Sequence, residues 1–110
     1  MKVLLIKSKV TAKQAEDMLS ALESYIKVAV DIKLGILAGG GVMHADCEKV
    51  LLDAGSKQRD VWGADWYPKD KSVGFGSLIN IRPRQHNRSM EIQDPEIKRK
   101  VEVIIRNMME

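Results

Sequence analysis

Three consecutive glycines, Gly39, Gly40 and Gly41, divide the chain where its hydrophobic rhythm changes. A run without Cβ atoms cannot form the middle of a helix or strand, because glycine loses the most conformational freedom on ordering. Whatever precedes the run must end there, and whatever follows must start afresh. Before it, Ile26, Val28, Val30 and Ile32 alternate with Lys27, Ala29, Asp31 and Lys33, the period-two pattern of a half-buried strand. Gly35 interrupts the pattern and Ile36 to Ala38 resumes it, which predicts a hairpin turning near Lys33 to Gly35. After the glycines, Cys47, Val50, Leu51 and Ala54 mark the inner face of a helix. Asp46 falls in or just before its first turn, where a carboxylate meets the positive end of the dipole, and Gly55 falls at a left-handed C′ position.

The flanks extend this alternation of types. Val3 to Ile6 reads as a buried first strand, and Thr11 with Gln14 forms a capping box opening a helix whose face carries Ala15, Met18, Leu19 and Leu22. Val61 to Tyr67 reads as a strand with Trp62, Ala64 and Trp66 on one face, followed by a loop at Pro68 to Lys71. A further strand is predicted from Val73 to Arg82, ended by Pro83, which has no N–H for a ladder. Asp94 caps a last helix with Pro95 at its first position and Ile97, Val101, Ile104, Ile105 and Met108 as its buried stripe. The order is β-α-β-β-α-β-β-α. Two hairpins imply antiparallel pairing, so the expectation is an α+β fold: one mixed or mainly antiparallel sheet of about five strands carrying three helices. At 110 residues the chain is expected to be a single domain over residues 1–110, large enough to fold without metals or disulfides.

Composition removes several classes. With 45% hydrophobic and 30% charged residues, the chain is neither collagenous nor low-complexity. Its only apolar stretch near the start, Val3 to Ile6 between Lys2 and Lys7, is too short for a signal peptide, and nothing approaches the ~20 apolar residues that cross a bilayer. The lone Cys47 cannot form an intrachain disulfide, and with His44 and His86 the chain is short of ligands for a structural zinc. A cytoplasmic protein without membrane attachment or cofactor is expected. The net charge of +3 and pI near 9.1 permit contact with nucleic acid or other anions, as they do in many ordinary proteins.

Four features could carry chemistry. Asn80 to Ser89 packs Arg82, Arg84, Arg88, His86, Asn80, Asn87, Gln85 and Ser89 into ten positions with no acid. Guanidiniums of this density match phosphate or carboxylate, although a solvated loop paired with helix acids explains them equally well. The segment from Ala38 to Asp46 sets Gly40 and Gly41 before a helix start, where backbone N–H groups favour an anion. It matches neither the P-loop nor the dinucleotide fingerprint, and a flexible connection is the commoner reading. His44 there is a general acid–base candidate, with Asp46 or Asp31 as partner; the same three residues match no recognised metal spacing, so no metal is expected. Trp62 and Trp66 share a sheet face and could stack on bases or form a subunit interface, but burial is the commoner fate.

Gly-Ser-Lys-Gln at 55–58, Val-Trp-Gly at 61–63 and Asn-Ile-Arg-Pro-x-Gln-x-Asn-Arg-Ser at 80–89 together resemble a small prokaryotic family of uncharacterised proteins, as does the segment Asp31 to Asp46. The resemblance covers most of the chain and implies a free-standing protein of bacteria or archaea, with no activity to carry over. Three readings follow. The first is a binding module whose Asn80, Arg82, Arg84, Gln85, Asn87 and Arg88 contact a nucleic acid or nucleotide. The second is a small hydrolase using His44, and the third is a non-catalytic homo-oligomer joined at the Trp62/Trp66 face. The first two gain if Arg82 or Arg88 approaches His44 or the start of the second helix, and that approach is expected.

Overall fold

The computed structural model describes residues 3–110, so Lys2, which precedes the first apolar stretch, lies outside the described residues. Five strands, β1 (Leu4–Ile6), β2 (Ile26–Asp31), β3 (Ile36–Gly39), β4 (Val61–Tyr67) and β5 (Ser72–Gly74), form one sheet in the order β1-β3-β2-β4-β5. Every neighbouring pair is antiparallel. With helices α1 (Ala12–Leu19), α2 (His44–Asp53) and α3 (Pro95–Met109), this is an α+β fold in the expected order.

Alternation sorts the sheet's side chains into two cores. Val28, Val30, Leu37, Trp62, Ala64 and Trp66 face α1 and α3, where they meet Met18, Val101 and Ile105. Ala29, Ala38 and Val61 face α2, meeting Cys47 and Leu51. At ~1.5–3 kcal/mol for each fully buried large aliphatic side chain, these stripes are what hold the helices on. Trp62 is 1% and Trp66 3% exposed. Neither can stack on a base or form a subunit contact, which removes the interface on which the homo-oligomer reading depended.

Local chemistry explains most ends. The Asp31 carboxylate accepts the backbone N–H groups of Lys33 and Leu34, and Gly35 takes a φ of +69°, closing the β2–β3 turn. Helix α2 ends in a Schellman motif: Ser56 N–H donates to Leu51 C=O, Gly55 N–H to Leu52 C=O, and Gly55 has a φ of +106°. Helix α1 is shorter than its apolar spacing suggests, because the Ser20 hydroxyl bonds back to Asp17 C=O and Glu23 adopts a φ of +66°, leaving Leu22 in the following turn.

The strand expected from Val73 to Arg82 stops at Gly74. Ser77 caps a 3-10 turn at Leu78–Asn80 by accepting from Ile79 N–H, and a second such turn follows at Pro83–Gln85. β5 therefore pairs only with Asp65, Trp66 and Tyr67, leaving the outer edge of β4 from Val61 to Gly63 without a strand partner.

Candidate functional site

That bare edge is where the arginine- and asparagine-rich segment goes. The Asn80 Oδ1 accepts from Gly63 N–H at 2.8 Å, and its Nδ2 donates to Gly63 C=O at 3.0 Å. The side-chain amide thus stands in for the backbone of a sixth strand. Nδ2 also reaches the carbonyls of Phe75 and Met90. Arg82 continues the edge: Nη2 donates to Val61 C=O, Nη1 to Gln58 C=O, and Nε to Ile79 C=O. Its guanidinium lies 4.2 Å from the Trp62 ring centroid and 4.0 Å from a Glu48 carboxylate oxygen. Asn87 donates to the carbonyls of Asn80, Ser89 and Glu91 and accepts from Gln93 N–H.

These residues are 0% (Asn80), 8% (Arg82) and 2% (Asn87) exposed. Gln85 joins them by donating to Arg59 C=O. Burial lowers the Arg82 guanidinium from its ordinary value, opposed by Glu48; burial also pushes the Glu48 carboxyl up, partly offset by Arg82. Of the six ligand candidates in this segment, Arg84 and Arg88 alone have exposed side chains without a side-chain hydrogen bond among the described residues. Arg82 touches α2 at Glu48, one turn past His44, and neither it nor Arg88 bonds to His44. The reason is topological: after antiparallel β5 the chain returns along β4 to that strand's first residues, away from the end where α2 begins.

The glycines are also structural. Gly39 lies against Val28 and Met18, where a Cβ would come 2.9 Å from the Val28 side chain. Gly40 has a φ of +108° and donates its N–H to Lys27 C=O. Gly41 lets Val3 and Asp46 approach. None of the three lines the cleft described next.

His44 opens α2 over the sheet, at the end where Lys27 of β2 stands opposite Asp65 of β4. A cleft of about 390 Å³ forms there, with Lys27 and Asp65 contributed by the sheet, Tyr25 by the residue just before β2, Met43, His44 and Ala45 by the helix start, and Gly76–Ile79 with Met90 by the segment after β5. His44 Nε2 lies 2.9 Å from Asp65 Oδ1 and 3.0 Å from Ala64 C=O. Both partners are acceptors, so Nε2 carries the proton and, in the neutral ring, the lone pair is on Nδ1. The side chains are only 10% (His44) and 14% (Asp65) exposed.

Asp65, absent from the candidates read in the sequence, is thus the carboxylate partner of His44. Asp46 points outward on the first turn of α2. Asp31 sits at the other end of that helix, accepting the Ser56 hydroxyl at 2.7 Å. Among the described residues no group of three His, Cys, Asp or Glu could hold a metal ion. Cys47 is buried, its Sγ donating to Lys27 C=O, and that burial pushes its thiol up to about 11, away from thiolate chemistry. Tyr67, stacked on Tyr25 at 5.2 Å, is raised by burial, with Asp65 and Tyr25 adding to the effect.

A half-buried carboxylate–imidazole pair thus stands at the start of α2, over an antiparallel sheet of an α+β fold. The family described as Protein of unknown function (DUF5674) matches residues 4–108, and the chain belongs to it. Neither the curated proteins nor the solved structures contain a match. No helix among the described residues is long and apolar enough to cross a membrane.

Proposed function

We propose that the chain binds a small molecule in the His44 cleft and acts on it by general acid–base chemistry of the hydrolase type. One observation carries this reading: the acceptors Asp65 and Ala64 fix the His44 tautomer and leave Nδ1 as the basic nitrogen. A base oriented by a third group is the recurring arrangement in such chemistry. Nδ1 takes a proton from water as the water oxygen attacks the substrate's electrophilic centre, then returns it to the leaving group, while the Asp65 carboxylate stabilises the imidazolium between the two steps. The test is a panel of chromogenic esters, phosphoesters and amides run with the native chain and with His44→Gln. A loss of roughly 10²–10⁴ in rate is expected for the variant. Equal turnover in both proteins overturns the reading.

A second reading, contact of Asn80–Ser89 with a nucleic acid or nucleotide, keeps one supporting observation. A depression of about 370 Å³ is lined by Gln58, Ile79, Ile81, Arg82, Pro83, Arg84 and Gln85, with no carboxylate among them. With Arg82 committed internally, Arg84 and Arg88 would supply the contacts. Binding would then weaken steeply between about 50 and 200 mM salt and weaken further in Arg84→Ala/Arg88→Ala. No binding of RNA, DNA or nucleotides at low salt sinks it. In either reading the chain works as one α+β unit in the cytoplasm, without a cofactor.

A further inference from the structure

We infer that the ligand of the His44 cleft is an amphipathic anion, with a carboxylate or phosphate head received by Lys27 and an apolar body against Met43, Leu78 and Met90. The choice of cleft rests on the proposed function, while the ligand class rests on separate observations. Lys27 is half-buried in the sheet surface of the cleft, directly across the ladder from Asp65. Opposite charges facing each other across a ladder ordinarily pair. Here Asp65 engages His44 instead, and among the described residues no carboxylate comes within 4.0 Å of the Lys27 ammonium. Among the described residues Asp65 is also the only acid in the lining. A recessed ammonium without a counter-ion attracts an anion from solution.

The walls supply the other half of the ligand. Leu78 is 69%, Met43 55% and Met90 47% exposed, and all three border this cleft. Single exposed apolar side chains need no explanation, but several gathered on one concavity mark a binding surface. Two of the three are methionines, whose flexible thioethers conform to different shapes.

Paired fluorescent probes test the inference: 1-anilinonaphthalene-8-sulfonate, which carries an anionic group, and N-phenyl-1-naphthylamine, the same apolar body without it. The native chain is expected to bind the sulfonate probe once per molecule. Lys27→Met, which keeps most of the aliphatic stem, should weaken that probe by about tenfold or more, as loss of a charge-assisted contact does, and leave the neutral probe unchanged. Lys27→Arg should restore it. Displacement by octanoate against octyl phosphate then separates a carboxylate from a phosphate head. No binding of the sulfonate probe, or equal effects of Lys27→Met on both probes, overturns the inference. Unchanged hydrolysis in His44→Gln with probe selectivity intact overturns only the acid–base chemistry.

Discussion

Asn80→Ala removes one side-chain amide and should cost more stability than any exposed arginine nearby. Four hydrogen bonds disappear: the one that Gly63 N–H donates to Asn80 Oδ1, and those that Nδ2 donates to the carbonyls of Gly63, Phe75 and Met90. They are not equivalent. Phe75 C=O still accepts from Ile92 N–H, and Met90 C=O from Ser77 N–H. Gly63 is the true loss, because β5 does not reach it and both its N–H and its C=O are left orphaned within the fold. At ~1–3 kcal/mol for each buried group without a partner, the cost is about 2–6 kcal/mol, against a total stability of ~5–15 kcal/mol for a domain of this kind. Urea unfolding at neutral pH should show a midpoint lowered accordingly, with one transition and an unchanged m-value. Asn80→Asp separates hydrogen bonding from volume. It keeps an acceptor for Gly63 N–H but sets a carboxylate against three carbonyls, so it should be at least as damaging at neutral pH and recover partly on acidification, when the acid regains an O–H donor. Arg84→Ala and Arg88→Ala should stay within ~0.5 kcal/mol of the native chain. A cost below ~1 kcal/mol for Asn80→Ala would mean that water or a neighbour serves Gly63 equally well, and that the Asn80 amide does not hold this edge.

Other outcomes follow from the same geometry. Gly63→Ala would bring a Cβ within 2.6 Å of Ser77 Cβ and Oγ, so thermal unfolding should reveal a loss of about 1–3 kcal/mol from overpacking. Cys47 should resist iodoacetamide at pH 8 in the native state and react on unfolding, as mass spectrometry would show; rapid native labelling would contradict its burial. Because the folded thiol is raised from 9.0 to about 11, it keeps its proton where the unfolded thiol has lost it. Its contribution to stability is therefore full below pH 9 and falls away as pH rises toward 11, a decline that Cys47→Ala should remove. Nitrogen-15 NMR of the neutral His44 ring should report the proton on Nε2, and a proton found on Nδ1 would remove the basis for the proposed chemistry.

The legible parts of the fold were those decided within a few residues. Thr11 with Gln14, Asp94 with Pro95, and Gly55 each settle a helix end through bonds to their immediate neighbours, and structure and spacing agree there. Residues 73–82 misled because alternation of Phe75, Ser77, Ile79 and Ile81 predicts a strand only if a partner edge is in reach. Ser77 instead closes a turn onto Ile79, and the partner edge of β4 is met by side chains. No local pattern distinguishes an asparagine that reads a ligand from one that completes a sheet. Both need several hydrogen-bonding atoms close together, and the density of polar groups from Asn80 to Ser89 is the same in either case.

Asp65 shows what the sequence offered and what it withheld. With Trp62, Ala64 and Trp66 on one face of β4, alternation assigns Asp65 to the other, together with Val61 and Gly63. A carboxylate on a strand face that also carries core residues must find a partner or raise the free energy of the fold by several kcal/mol, on the order of the cost of an unpaired buried ion. That requirement was readable. The identity of the partner was not, because it depends on β4 lying beside β2 and on α2 starting above that end of the pair, and sheet order is non-local. Lys27 was the obvious partner across the ladder, yet the imidazole of His44 occupies the carboxylate. A histidine therefore gains a fixed tautomer and a lysine is left with its charge uncompensated, and one substitution separates the two consequences. In Asp65→Asn the Ala64 carbonyl still holds the proton on Nε2, but the imidazolium loses the carboxylate that stabilises it, and Lys27 loses the one acid in the described cleft lining. Hydrolytic turnover should fall while affinity for the anionic probe rises. Parallel loss of both would mean that Asp65 serves the fold and not the site.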